Sequence, residues 1–544
     1  MNFHGMIKSA AIGASLTLGL MGSVYAASTH PVTGETLADS QVFRLRLLDG
    51  IPSLDPQLME DVTGFNFARD LFEGLLNQDA DGNLVPGVAT SWEANESNDV
   101  YTFHLRENAK WSNGDPVTAH DFVYAWQRSV DPATASPYSW YVDMMSIKNA
   151  SDILSGDKDK SELGVRAVDD YTFEVSLTAP LPYFASMTVL ATVFPVHQAT
   201  IEKHGAEWTR PENMVSNGAY VLKEWVLKER TVRERNPMYW NNEATIIDRV
   251  ETQVINDENI AFTRYLAGEL DMTAVPSGQF IRLKEERPEE TLSLPYLGSY
   301  YYSFNLDANG PEVFKDVRVR QALSYAVDRN VITDNILQGG QHPAYNVTPL
   351  ATASFIDPQI EYANWTQAER DAKANELLAA AGYGPDNPLE FNLLYNTSET
   401  HKKIATAISA MWDQKLGVKA IPTNMEWKTM LETGRNKDFD MIRYAWIGDY
   451  NEASTFLDLH RTGGAQNWAS YANPEVDALL DEAKTSKDPN AAYTQIEKIL
   501  ARDMPLVPIY HYTSVLMKNT ALKGWPMQNI QQNWYSKDMY FVAE

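Results

Sequence analysis

The residues best placed to do chemistry lie in one stretch, Phe439 to Phe456. Its first part, Phe439 to Trp446, alternates around apolar and aromatic residues, which predicts a strand. Gly448 and Asp449 break that run, and Glu452 to His460 predicts a short helix. Arg443 therefore sits on the strand and Asp449 on the loop just past its end. In open α/β sheets ligands bind in the crevice outside the strand ends. An acid and a base there suit a small zwitterion, with Asp449 facing an ammonium and Arg443 a carboxylate. The alternative is that Arg443 keeps an edge strand soluble and Asp449 caps the next helix. The two residues alone leave both readings open.

A chain of 544 residues exceeds one hydrophobic core and calls for two or three domains. With 44% apolar and 22% charged residues the composition is that of a globular protein. A formal net charge of −27 argues against nucleic acid or an anionic membrane surface as partner, since both need a basic footprint, and it suits a monomer. There is no cysteine, which excludes disulfides, thiolate metal sites and a lipid-anchor Cys. Lys8 followed by the apolar run Ala10 to Met21 and by Val24-Tyr25-Ala26 predicts a signal peptide over 1–26, cleaved after Ala26. Export as a free periplasmic protein is the expectation.

Along the chain, Phe43, Leu45 and Leu47 alternate as a strand that runs into a Pro-marked turn. Glu60 to Phe65 reads as a polar loop, and Phe67 to Leu76 has helical spacing. Tyr101 to Arg106 alternates, and a helix opens at Thr118 with Asp121 in its first turn. Tyr296 to Asn305 reads as a strand, and Asp316 to Val327 as a helix. Thr366 and Glu369 form a capping box for a helix that ends at Gly382. Hydrolytic and nucleotide chemistry lack their signatures: no Gly-x-Ser-x-Gly elbow, no His-Glu-x-x-His helix and no phosphate loop. The ten histidines form no cluster of metal-ligand spacing, so neither metal nor cofactor is expected.

A set of motifs adds a resemblance. Asp81-Gly82, Pro86-Gly87-Val88-Ala89, Lys110-Trp111-Ser112-Asn113-Gly114 and Val117-Thr118-Ala119-His120-Asp121-Phe122 are similar to the signature of the peptide- and nickel-binding family of ABC-importer substrate-binding proteins. Asp131 to Tyr138, Asn217-Gly218-Ala219-Tyr220, Leu393 to Ser398 and Asp449-Tyr450-Asn451-Glu452 resemble its oligopeptide-binding branch. The resemblance implies a two-lobed, hinge-closing α/β binding protein of three domains. Residues 27–73, 198–299 and 517–544 would form the first domain, 74–197 an inserted second and 300–516 the third. It implies no enzyme but a receptor that delivers short peptides to an inner-membrane ABC permease.

By the same resemblance Asp449 matches the acid that holds the ligand ammonium, and Arg443 and His401 match cations that meet its carboxylate. Tyr138, Trp427 and Trp446 match cleft aromatics, and Glu60 an acid from the first lobe. Asn396 falls within the matched Leu393 to Ser398. Gly448 and the backbone beside Tyr444 and Trp446 would pair with the peptide as an added strand. Three departures stand out. Leu337 occupies the place of a lysine, Gly298 and Ile447 the places of a cysteine pair, and Ala274-Val275-Pro276 replaces a polar stretch. A narrower ligand, such as a murein tripeptide or a dipeptide, is the alternative within the class, and a peptide hydrolase the alternative outside it.

Overall fold

The computed structural model describes residues 28–384 and 386–543, so the expected signal peptide over 1–26 lies outside the described residues. The frame of the molecule is a mixed sheet of eleven strands. Two long strands, Thr291–Phe304 and Leu506–Lys518, run antiparallel through its middle. Beyond the second lie Met272–Ala274, Val42–Leu47, Arg249–Val254, Arg230–Arg235 and Tyr220–Val226. Beyond the first lie Met441–Ile447, Glu390–Asn396 and Lys419–Met425, and the eleventh strand, His342–Pro343, pairs off this path with Leu506–Lys518. The long ladder slips between Pro295 and Ser299 and again between Tyr300 and Tyr301. Such irregularities bend a strand and raise its twist. They fall where the chain passes from one half of the sheet to the other.

A separate four-stranded antiparallel sheet is built from Ala89–Ala94, Val100–Leu105, Thr172–Ser176 and Val165–Asp169. The helix Ala119–Val130 covers it, seating Phe122 and Trp126 against Phe173. Its start follows the expected chemistry: the Asp121 carboxylate accepts the Thr118 N–H at 2.7 Å. The helix Gln367–Ala380 begins the same way, with Glu369 accepting the Thr366 N–H at 2.7 Å. It joins Val317–Ala326 and Glu399–Leu416 around buried Trp412, whose indole donates to the Leu323 carbonyl at 2.8 Å.

One helix differs from its reading. Instead of Phe67 to Leu76 it spans Val62–Leu71, so most of the expected loop Glu60 to Phe65 is its first turn. Asp61 caps it by accepting the Gly64 N–H at 2.6 Å. It stops at Leu71 because another segment crosses there. Gly218 donates its N–H to the Leu71 carbonyl at 2.9 Å, and a Cβ on Gly218 would lie 2.5 Å from the Asp70 carbonyl oxygen. Asp70 pairs with Arg233 at 2.7 Å, both side chains almost fully buried. This pair fixes the rotation of the helix and hence the face it turns to the cleft.

Candidate functional site

Between the two halves lies a cavity of about 320 Å³, and all ten residues singled out in the sequence line it. At one end stands Asp449, 7% exposed, on the loop after Met441–Ile447. The Tyr138 hydroxyl donates to its carboxylate at 3.3 Å from the opposite wall. Burial pushes the Asp449 carboxyl up to about 8, against the smaller opposing effects of the Tyr138 hydrogen bond and the Arg69 charge. A second positive charge placed against it would restore the carboxylate. Asp449 caps no helix: the short Ser454–Leu457 helix has no side-chain cap, and Asp449 donates its own N–H to Thr455 Oγ1 at 3.1 Å.

At the other end stand Arg443 and His401. Arg443 does not keep an edge strand soluble: it is buried, on a strand paired along its length on one side and only through Met441 and Ile442 on the other. Its guanidinium donates to Asn396 Oδ1 at 3.1 Å and to the Tyr512 hydroxyl at 2.7 Å, and lies over the Tyr300 ring at 4.4 Å. Arg443 itself lines the cavity, and its buried Nε has no acceptor. His401 sits in the first turn of Glu399–Leu416, where the positive end of the helix favours an anion. Burial, then the Arg443 charge, hold its imidazole well below the usual histidine range, so it is neutral until an anion joins it. The expected protonated His401 is thus a state that an arriving carboxylate would create.

Aromatic side chains close the long walls. Tyr138 stacks parallel to Trp446 and meets Phe65 edge-on. Trp427 stacks on Tyr444 and donates its indole N–H to Asp61 across the cleft at 2.9 Å. Glu60 lines the cavity but is already committed, pairing with Arg435 from the opposite side.

The strand edge completes the site. Met441–Ile447 pairs along its length with Thr291–Phe304, but with Glu390–Asn396 only through Met441 and Ile442. From Arg443 onward its other edge has no strand partner among the described residues. Gly448 donates its N–H to the Leu297 carbonyl at 2.8 Å, and antiparallel bonding alternates along a strand. Tyr444, Trp446 and Gly448 thus face the crossing strand, while Arg443, Ala445 and Ile447 turn their backbone groups to the free edge. Gly448, expected to pair with a ligand, has its amide in use; Ala445 and Ile447 hold the open positions.

Several cavity residues carried no local signal. Val62, Phe65, Asn66 and Arg69 share one helical face of the cavity wall, at spacings hidden by reading that helix too late. Tyr512 lies on the far crossing strand, remote in sequence from the Arg443 it bonds. Leu337 and Val275 are core residues and do not line the cavity, so those departures act away from its wall. Gly298 and Ile447 are direct cross-strand partners, and the Ile447 side chain fills the space over Gly298.

The model of the bacterial extracellular solute-binding proteins, family 5 (middle region), matches residues 83–468. The chain is 43% identical over 540 residues to the periplasmic oligopeptide-binding protein OppA of Escherichia coli, covering 98% of this chain and 99% of that one. The solved structure of the Escherichia coli murein tripeptide binding protein MppA superposes with a TM-score of 0.91 at 43% identity, over 93% of this chain and 100% of that one. A structure of MppA described as an unliganded open form, also 43% identical and covering 94% and 99%, gives a TM-score of 0.68. With identity equal, the difference is one of conformation, and the bonds across the cleft from Tyr138 and Trp427 mark the lobes here as closed. The fold, the motifs and these likenesses agree: the chain belongs to the bacterial extracellular solute-binding proteins of family 5.

Proposed function

We propose that this protein captures short peptides with little sequence preference in the periplasm and delivers them to an inner-membrane ABC permease. The observation that carries this reading is the buried Asp449 at one end of a closed cavity whose other end holds Arg443 and His401. A free strand edge lies between them. A peptide enclosed whole must have its terminal charges neutralised, because a buried unpaired charge costs roughly 3–5 kcal/mol. Asp449 then holds the ammonium, while Arg443, aided by His401 and oriented by Asn396, meets the carboxylate. Ala445 and Ile447 pair with the peptide main chain, which every sequence presents alike. Tyr138, Trp427, Tyr444 and Trp446 cover side chains of many kinds without demanding one. The named relatives, an oligopeptide-binding and a murein tripeptide binding protein, support a peptide ligand.

Closure is read as hinge motion at the irregular stretch of the two long strands, dividing the chain as the resemblance implies. The working unit is a monomer without catalytic activity. A narrower ligand, such as a murein tripeptide, is the second reading, favoured by the likeness to MppA. Mass spectrometry of small molecules released by denaturing the purified protein separates the two. A ladder of mixed linear peptides is the expected result. A single dominant species carrying a D-residue or diaminopimelate would establish the narrower reading, and cleaved products of an added peptide would contradict both.

A further inference from the structure

The cavity contains one more buried cation than a peptide's two ends require. Arg69 lies in the last turn of Val62–Leu71, is 7% exposed and lines the cavity wall. Its Nη1 donates to the neutral side chain of Asn66 at 2.8 Å, and its Nε has no acceptor. The neighbouring acid in sequence, Asp70, turns away and is committed to Arg233 and to the Ser536 hydroxyl. The other acids nearby are engaged as well. Glu60 pairs with Arg435, and Asp61 accepts from Gly64 and Trp427.

Of the two other acids that line the cavity, Asp49 lies among Glu426, Arg46 and Lys228, and Asp449 is the one whose charge acts on Arg69. It makes its hydrogen bond to Tyr138 and no ion pair with Arg69 within 4.0 Å. The Arg69 charge acts on the Asp449 carboxyl, but burial outweighs it. Burial in turn pushes the Arg69 guanidinium below its usual range, against the smaller opposing effects of the Tyr535 and Tyr296 hydroxyls and the Asp449 charge. A guanidinium cannot discharge by losing its proton at neutral pH, and its forked donors match a carboxylate. Buried ions of this kind are paired in stable complexes.

We infer that Arg69 forms an anionic subsite at the amine end of the cavity, receiving a carboxylate carried within the first two residues of the bound peptide. The inference rests on the peptide reading above and adds to it a ligand class: free-amine peptides with an aspartate or a glutamate at or next to the amine terminus. The ligand ammonium faces Asp449 while its side carboxylate faces Arg69, so the buried Asp449 carboxyl and the buried Arg69 guanidinium are both answered by one end of one molecule.

The test is titration calorimetry with Glu-Ala-Ala and Ala-Glu-Ala, each against its glutamine counterpart, on the wild type, Arg69→Gln and Arg69→Lys. At one of the two positions the wild type should prefer glutamate by about tenfold or more, the scale of one charge-assisted hydrogen bond in a buried site. Arg69→Gln should remove that preference and Arg69→Lys keep part of it. Equal affinities for glutamate and glutamine at both positions in the wild type overturn the inference without any variant. A preference that survives in Arg69→Gln overturns it too. Trialanine on the wild type is the control: binding without an acid preference removes the subsite alone, whereas no binding removes the peptide reading beneath it.

Discussion

At the residue scale ligand capture turns on Asp449, a carboxyl that is buried before any ligand charge reaches it. Asp449→Ala should weaken binding of a free-amine tripeptide by about 3 kcal/mol, on the order of a hundredfold, measured by calorimetry. The pH dependence follows from the same burial. In an open, solvated cleft its ordinary value is 3.8, and in the closed cleft it is pushed up to about 8. Closing without ligand therefore takes up a proton between these values, and closure is disfavoured progressively as pH rises through that window. An ammonium holds the carboxylate ionised and removes this penalty. Affinity should plateau between about pH 4 and pH 8. It should fall below the plateau as Asp449 protonates in the open form, and above it as the peptide amine, near roughly 7.7–8.0, loses its proton. Asp449→Asn should make the acidic limb shallower, leaving only the part due to the peptide carboxylate, near roughly 3.3–3.7; an acidic limb of unchanged steepness would assign it to another group. Asp449 and Arg443 were legible in sequence because a strand and its terminating Gly-Asp place them by local rules. Arg69 was not, since a buried charge announces itself only through the partners it lacks.

At the scale of elements, the free edge of Met441–Ile447 and its ladder with Thr291–Phe304 organise the cleft. Gly298 and Ile447 form a non-hydrogen-bonded antiparallel pair, for which Cα atoms lie about 4.5 Å apart, within the range a disulfide spans. A Cβ on Gly298 would lie 2.5 Å from Ile447 Cδ1, so Gly298→Cys alone should destabilise by about 1–3 kcal/mol. Gly298→Cys combined with Ile447→Cys should relieve that clash and oxidise. The check is a thiol titration showing no free thiol, with a melting temperature that drops on adding reductant. Two free thiols in the oxidised sample would contradict the register. Helices with capping boxes, such as those beginning at Thr118 and Thr366, were readable to within a residue because capping is local chemistry. Val62–Leu71 was misplaced because its stop is imposed by Gly218, far away in the chain.

At the scale of the whole molecule, the resemblance implied two lobes, whereas the strand order rests on neighbours that local patterns do not disclose. Val42–Leu47 lies parallel to Arg249–Val254, and Met272–Ala274 pairs with the C-terminal end of Leu506–Lys518. Solution scattering should record a smaller radius of gyration when a binding peptide is added to ligand-free protein, as the lobes move from an open to a closed arrangement. An unchanged radius at saturating peptide would contradict hinge closure.

The most direct measurement compares one tripeptide with its N-acetylated form by calorimetry on the wild-type protein. If the cleft closes on a whole peptide anchored by its ammonium at Asp449, the acetylated form should bind on the order of a hundredfold more weakly. Asp449→Ala should then bind the two forms about equally. Equal affinities in the wild type would contradict the anchor, and with it the reading of the cavity as a receptor for free-amine peptides.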